Sequence, residues 1–217
     1  MNHIAGAADF ARTFGVSRET IGRLDVFAGL LRQWQATINL VAPSTIEDLW
    51  HRHMADSAQL VPLAPAGPLH WLDLGTGGGF PGIVAGLMLA ERGNCRLTLI
   101  ESDVRKCAFL REVTRQTGLG ALVAVDIVTG RIETGANTAK AGAVDVISAR
   151  ALAPLDRLLG WCQPYFGPST VALLPKGRDF AAELKAARAL WAFEAVLSPS
   201  LTQDDGRIVG VRALHRL

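Results

Sequence analysis

Two acidic residues and a glycine-rich turn could together hold a ligand. The apolar run 71–74 contains Asp73 and breaks into the turn 75–82, which reads Gly-Thr-Gly-Gly-Gly-Phe-Pro-Gly, and a second apolar run ends at Glu101. Glycines lack the Cβ atom that keeps a ligand away from the backbone. A helix that begins near Pro81 would direct its unpaired N–H groups toward the turn. We therefore predict a ligand-binding turn between a strand and a helix, with Asp73 at the carboxyl end of the strand.

The register of the turn decides which ligand it favours. The dinucleotide pattern G-x-G-x-x-G can be placed on Gly77, Gly79 and Gly82. If the strand ends at Leu74, however, the first turn glycine is Gly75 and the third place falls on Phe80. A nucleoside without a pyrophosphate then fits better, and S-adenosylmethionine is the common one. We expect it to approach Gly75 and Gly77, with its sulfonium cation near Asp73. A nicotinamide cofactor and an ordinary glycine-rich turn remain alternatives.

The next two strand ends supply groups that suit an adenosine. Glu101 lies about twenty residues past the turn, where an acid can accept both hydroxyl groups of a ribose. The alternative is that Glu101 caps the helix that starts near Asp103. After the third predicted strand, the N–H beside Ile132 could meet adenine N1, and the Glu133 carboxylate could accept from the exocyclic amine. The glycine turn and Glu101 together indicate an adenosine ligand. The proposed adenine contact of Glu133 is strengthened because the fold brings its loop next to Glu101.

Basic residues follow the fourth and fifth predicted strands. Arg150 ends a central strand and faces the cleft, where a guanidinium can hold a phosphate, a carboxylate or a base edge. Lys176 and Arg178 are candidates for phosphate contacts. The helix after Glu101 offers further candidates, unless they only form a solvated face: Arg105, Lys106, Arg111 and Arg115. Neither Asn-Pro-Pro-Tyr nor Asp-Pro-Pro-Tyr follows the fourth strand, and no cysteine does, which disfavours amine methylation and covalent C5 methylation.

Two histidines precede the turn. His51 and His53 are two residues apart, so a helix would point them to different sides, which disfavours a shared metal ion. We predict no metal site. His53, Asp56 and Ser57 are interpreted as a polar cluster that packs the N-terminal region on the cleft.

Strands and helices alternate after the proline-rich segment 61–68, which is typical of a parallel sheet with helices on both faces. Strands are predicted near 69–74, 96–101, 122–128, 143–148 and 170–175, and helices near 81–92, 104–117, 154–164 and 178–190. The apolar stretches 191–197 and 207–215 have no helix between them and should form an antiparallel pair at one edge. The predicted fold class is α/β, with a mostly parallel seven-stranded sheet.

Helical spacing dominates the N-terminal region. Ser17 is a plausible helix N-cap, and apolar residues then recur at steps of three and four. These residues are Ile21, Leu24, Phe27, Leu30, Leu31 and Trp34. We predict an N-terminal helical appendage over residues 1–66, followed by an S-adenosylmethionine-binding domain over 67–217.

Composition limits the class of protein. The 217 residues suit one α/β domain with an appendage, and a net charge of +2 is too small to indicate nucleic-acid binding by itself. Cys95, Cys107 and Cys162 lack the spacing of a zinc site or a disulfide framework. No targeting segment or membrane span is evident. We expect a cytoplasmic protein with reduced cysteines that works as a monomer.

Several of these segments together resemble one family. They are Asn39-Leu40, His53-Met54-Ala55-Asp56-Ser57, the run 72–82, Ser148-Ala149-Arg150-Ala151 and Lys176-Gly177. The sequence is similar here to the ribosomal RNA small subunit methyltransferase G family, also called glucose-inhibited division protein B. Gly-Phe-Pro-Gly after the glycine turn is the most specific part of the resemblance.

The resemblance implies a class I S-adenosylmethionine-dependent methyltransferase that acts on N7 of a guanine, guanine 527, in the decoding-region loop of 16S rRNA. Naked 16S rRNA or a small-subunit assembly intermediate would be its partner. The cofactor contacts of the family carry over to Gly75, Phe80, Ile132, Glu133 and Arg150. The family's usual second-strand aspartate is Glu101 here, and Ala149 is a further departure.

The implied chemistry needs no general base, because guanine N7 carries a lone pair and no proton. Arg150 and His53 are the only candidates for a catalytic role. Arg150 could hold either the cofactor carboxylate or the base, and with Lys176 and Arg178 it is a candidate contact for the RNA substrate.

Overall fold

One sheet brings the predicted strand ends together. This computed structural model describes residues 3–134 and 142–217. Its strands are β1 (His70–Leu74), β2 (Arg96–Glu101), β3 (Ala124–Thr129), β4 (Val146–Ser148), β5 (Val171–Lys176), β6 (Trp191–Pro199) and β7 (Arg207–Arg216). Their order is β3-β2-β1-β4-β5-β7-β6, and β7 runs antiparallel to β5 and β6 while the other pairs are parallel. The predicted seven-stranded sheet with an antiparallel edge pair is confirmed.

Helices cover both faces of this sheet. They are α1 (Ala7–Phe14), α2 (Arg18–Gln35), α3 (Asp56–Ala58), α4 (Gly82–Leu89), α5 (Val104–Gln116), α6 (Leu155–Cys162) and α7 (Phe180–Arg188). A π-helical segment, Trp50–Ala55, leads directly into α3. The helices described include none long and apolar enough to cross a membrane.

Most predicted boundaries agree with the structure to within two residues. The largest differences are of three residues: α4 ends at Leu89 rather than near residue 92, and β4 begins at Val146 rather than near residue 143. Just before β4, the Asp145 N–H donates to the His70 carbonyl at 3.0 Å while Asp145 Oδ2 accepts the His70 N–H at 2.8 Å, so backbone and side chain share the contact with β1.

The N-terminal helices pack on the α/β region through one continuous core. Ser17 caps α2 as predicted, because its Oγ accepts the Thr20 N–H at 3.1 Å. Phe27 of α2 is fully buried, with its ring centroid 5.1 Å from that of Phe80 and 6.3 Å from that of Phe109 in α5. The appendage therefore shares its hydrophobic core with α4 and α5. The boundary at residue 66 stays a prediction.

A second core fills the other face of the sheet, under α6 and α7. All three cysteines are free and buried, with Cys95 in the first core and Cys162 in the second, and burial raises the pKa of Cys162 to about 12. They serve packing, as the sequence indicated.

Candidate active site

The glycine turn lies across the ends of β1 and β2. Gly75, Gly77 and Gly79 have φ values of 66°, 57° and 93°, which are left-handed conformations that favour glycine. The N–H groups of Gly75 and Thr76 both donate to the carbonyl of Ile100, at 2.9 and 3.2 Å. A Cβ added to Gly75 would lie 2.7 Å from a methyl group of Leu152. The sequence therefore needs glycine at the first turn position for both backbone and steric reasons.

The structure corrects the predicted placement of Asp73. Its carboxylate is fully buried beneath the turn, where Oδ2 accepts the Gly82 N–H at 2.9 Å and Oδ1 accepts the Ser148 hydroxyl at 2.7 Å. Ser148 in turn accepts the Trp71 indole N–H at 2.8 Å. Burial raises the pKa of Asp73 to about 6, against the opposing effect of these hydrogen bonds. Asp73 anchors the turn to β1 and β4 instead of facing a ligand.

A cavity of about 350 Å³ opens beside the turn, which we call the cofactor cavity. Six of the eight predicted cofactor residues line it: Gly75, Gly77, Glu101, Ile132, Glu133 and Arg150. The other two, Asp73 and Phe80, do not. The turn, the end of β2 and the loop after β3 thus meet at one place, as the strand order requires.

Glu101 is not the cap of α5, which the sequence left as an alternative, and its carboxylate is instead held by two backbone N–H groups. The carboxylate is buried, with Oε2 accepting the Gly77 N–H at 2.9 Å and Oε1 accepting the Asp103 N–H at 2.8 Å. Asp103 itself is the N-cap of α5, since its carboxylate accepts from Arg105 and Lys106. Glu101 therefore holds the turn onto β2 while its carboxylate faces the cofactor cavity, where it fits the hydroxyl groups of a ribose.

A larger cavity of about 510 Å³ adjoins the first, which we call the substrate cavity. The appendage, the glycine turn, the end of β5 and the loop between β6 and β7 all contribute to its lining. The two cavities share Gly75, Gly77, Arg150 and Ala151 as a common wall. Phe80 lies on the substrate side, under the guanidinium of Arg150, which is 5.3 Å from the ring centroid.

Arg150 is fixed in this wall by the appendage. Its Nη1 donates to the Arg52 carbonyl at 3.0 Å and to Asp56 Oδ2 at 3.1 Å, and its Nη2 lies 2.7 Å from His53 Nδ1. Asp56 also accepts the Thr202 hydroxyl at 2.6 Å, so the same carboxylate joins the loop between β6 and β7. Of the three residues in the predicted polar cluster, His53 and Asp56 contact Arg150 as expected, whereas the Ser57 hydroxyl donates to the His53 carbonyl within the same segment at 2.6 Å.

The hydrogen bonds around His53 define its tautomer. Arg150 can only donate, so His53 Nδ1 must be the acceptor in their contact. The Thr45 hydroxyl donates to the Ala42 carbonyl at 2.7 Å and lies 2.7 Å from His53 Nε2, so Nε2 carries the proton. Burial, helped by the positive charges of Arg150 and Arg52, lowers the pKa of His53 to about 3. His53 is a neutral ring with its only acceptor already occupied.

The structure places Lys176 and Arg178 in different surroundings. Lys176 lines the substrate cavity, but its Nζ lies 2.8 Å from Glu183 and donates to the Ala153 carbonyl at 2.7 Å. Glu183 also accepts the Leu155 N–H at the start of α6. Lys176 therefore braces β5 against α6 and α7, and Arg178 is exposed and lines neither of the two cavities.

Two arginines at the substrate cavity were not singled out from the sequence. Arg52 is exposed beside His53, and Arg207 lies over the Phe180 ring at 5.4 Å with its Nη1 on the carbonyls of Asp204 and Gly206. Neither belongs to a motif. Only the folding of the appendage and the last hairpin toward the same cavity identifies them.

The strand order, the glycine turn and the acid at the end of β2 define a class I S-adenosylmethionine-dependent methyltransferase fold. Among solved structures, the chain is similar to an O-methyltransferase from Bacillus cereus in complex with SAH, with a TM-score of 0.59 and 15% identity over 86% of this chain and 90% of that one. A putative O-methyltransferase from Klebsiella pneumoniae gives a TM-score of 0.59 at 17% identity, over 96% and 98% of the two chains.

The family described as rRNA small subunit methyltransferase G matches residues 20–207. A ribosomal RNA small subunit methyltransferase G from Parvibaculum lavamentivorans is 50% identical over 98% of this chain and 91% of the relative. That of Paramagnetospirillum magneticum is 47% identical over 97% of both. The chain belongs to the rRNA small subunit methyltransferase G family, and the resemblance seen in the sequence is confirmed.

Proposed function

We propose that this protein transfers a methyl group from S-adenosylmethionine to N7 of one guanine, guanine 527, in the decoding-region loop of 16S rRNA. The observation that supports this most directly is the pair of adjoining cavities with Arg150 in their common wall. One cavity has the adenosine-type groups predicted from the sequence, and the other has room and positive charge for a nucleotide.

The residues of the cofactor cavity fit S-adenosylmethionine. Glu101 would accept the hydroxyl groups of the ribose, and Ile132 and Glu133, which line the same cavity, would meet the adenine. Arg150 has five N–H groups, of which three meet the appendage, so two remain for the carboxylate of the methionine moiety. When bound, S-adenosylmethionine supplies an electrophilic methyl group on a sulfonium.

The arrangement suits an acceptor that needs no deprotonation. Guanine N7 attacks with a lone pair of the neutral base, so positioning supplies most of the rate. His53 cannot take a proton from a substrate while Nδ1 accepts from Arg150. Arg150 also cannot donate the bidentate pair of hydrogen bonds that arginine usually makes to guanine O6 and N7, because the N7 lone pair must attack the methyl group. We therefore place Arg150 on the cofactor side.

Side chains with free N–H donors are the candidates for contacts with RNA phosphates. Arg52 on the appendage and Arg207 on the last hairpin both line the substrate cavity, and Arg178 lies exposed after β5. N7 lies in the deep major groove of A-form RNA, so the target base must come from a loop or leave its stack. We place the phosphates at Arg52 and Arg207. We further propose that the substrate is 16S rRNA or an assembly intermediate of the small subunit, and that the protein binds it as a monomer in the cytoplasm.

The test is methylation by the purified protein. Incubation with S-adenosylmethionine and undermethylated small subunits, or with naked 16S rRNA, should produce N7-methylguanosine at a single position that mass spectrometry maps. Methylation of another atom, or none on either substrate, would contradict the proposal. Comparing the two substrates shows which partner is used.

A calorimetric test checks the cofactor placement separately. Glu133→Ala should weaken S-adenosylmethionine binding by roughly tenfold, because it removes a charge-assisted hydrogen bond. Replacing the exposed Glu194 of β6 with Ala is the matched control and should leave the affinity unchanged. Equal affinity for both variants would reject the placement of the adenine.

A further inference from the structure

His53 stands between the appendage and the wall that separates the two cavities. A chain of hydrogen bonds runs from the Ala42 carbonyl through the Thr45 hydroxyl and the His53 ring to the Arg150 guanidinium, with successive distances of 2.7, 2.7 and 2.7 Å. The ring is buried, and its centroid lies 5.1 Å from that of Phe80. Every polar atom of the ring is committed, so the ring has one orientation.

The contacts of Arg150 do not all constrain it in the same way. Nη1 donates to both Asp56 and the Arg52 carbonyl. Among the contacts described, Nη2 donates only to His53. Asp56 also shares its oxygens with Thr202 and Gln59. Because the five N–H groups of a guanidinium lie in one rigid plane, the His53 contact on a second nitrogen helps to fix where the remaining N–H groups point.

We propose that His53 is a positioning residue for methyl transfer, which acts by holding Arg150 in the common wall through the unprotonated Nδ1 atom. The inference rests on the proposed function, since it assigns a task within that site. It also separates His53 from a general base. A base would need Nδ1 free for a proton, whereas a positioning acceptor needs only a lone pair at that point.

This distinction can be tested by amide substitutions. In His53→Asn, the amide oxygen can occupy the place of Nδ1 and accept from Arg150, although it cannot take a proton. In His53→Gln, the longer amide reaches toward Thr45 and leaves Arg150 without its acceptor. We expect His53→Gln to lower kcat/KM on the order of 10²-fold, as misplacement of a binding group does, and His53→Asn to restore most of that loss.

His51 provides the matched control. It lies two residues away on the same π-helical segment, where its ring meets His3 and accepts the Ile4 N–H at 3.3 Å. His51→Asn should leave kcat/KM unchanged. Melting temperatures of all variants show whether a loss of activity is a loss of fold, and calorimetry with S-adenosylmethionine shows whether Arg150 has lost its place on the cofactor side.

A spectroscopic measurement on the unaltered protein covers the case in which a variant does not fold. Nitrogen NMR of the histidine rings should show His53 as the neutral tautomer with the proton on Nε2, from neutral pH down to about pH 5. A protonated Nδ1 or a doubly protonated ring in that range would overturn the inference. So would a folded His53→Asn as inactive as His53→Gln, or a folded His53→Gln as active as the unaltered protein. If the unaltered protein itself does not methylate rRNA, the proposed function fails instead.

Discussion

Asp73 shows how a single buried carboxylate can support a ligand site without touching the ligand. The sequence placed it correctly at the end of β1, but a strand end does not say on which side of a turn a side chain lies. Gly82 and Ser148, which occupy its two oxygens, are 9 and 75 residues away along the chain. Only the folded turn reveals that the carboxylate is enclosed.

A pH measurement checks this role of Asp73. Its pKa rises on folding from 3.8 to about 6, so between these values the folded state binds more protons and loses stability as pH rises. Asp73→Asn removes the titration. The difference in unfolding free energy between variant and parent should therefore change by about 2 kcal/mol between pH 4 and pH 6. Urea unfolding at both pH values measures it, and a constant difference would contradict the raised pKa of Asp73.

Gly75 combines a left-handed backbone with a close approach to Leu152. Gly75→Ala should cost about 1–2 kcal/mol in stability and should push Leu152 into the cofactor cavity, which weakens S-adenosylmethionine binding. Gly118 is a matched control, because its φ is 67° and nothing lies within 4 Å of an added Cβ. Gly118→Ala should show the same loss of stability with unchanged affinity. Calorimetry and thermal melts separate the two effects.

Among the elements, the alternating strands and helices were the easiest to predict. Apolar runs of strand length and caps such as Ser17 and Asp103 are local signals, so they can be read without the fold. The docking of the last hairpin was not predictable. The Leu201 N–H donates to Gln59 Oε1 at 2.6 Å across 142 residues, and no local pattern encodes such a pairing.

The contacts of Lys176 with Glu183 and Ala153 predict an effect on stability rather than on RNA binding. The amine joins the end of β5 to α7, and Glu183 of α7 also caps α6. Lys176→Gln should lower the unfolding free energy by about 2 kcal/mol, because it leaves a partly buried carboxylate without its cation. The salt dependence of RNA binding should stay the same. A variant of unchanged stability with a reduced salt slope would return Lys176 to its predicted phosphate contact.

The whole molecule carries a net charge of only +2, so its affinity for RNA must come from a local surface. Arg52→Gln and Arg207→Gln should each reduce the slope of log affinity against log salt by about 0.7, the value for one phosphate of a single strand. Arg188→Gln on α7 is the control and should leave the slope unchanged. Filter binding of an rRNA fragment at several salt concentrations provides the measurement.

The shared wall of the two cavities also bears on the kinetic mechanism, that is, whether the two substrates bind together or react one after the other. None of its four residues, Gly75, Gly77, Arg150 and Ala151, carries a nucleophile that could store a methyl group between two half-reactions. Donor and acceptor must therefore be present together in a ternary complex. Double-reciprocal plots at several fixed concentrations of the second substrate should intersect rather than run parallel.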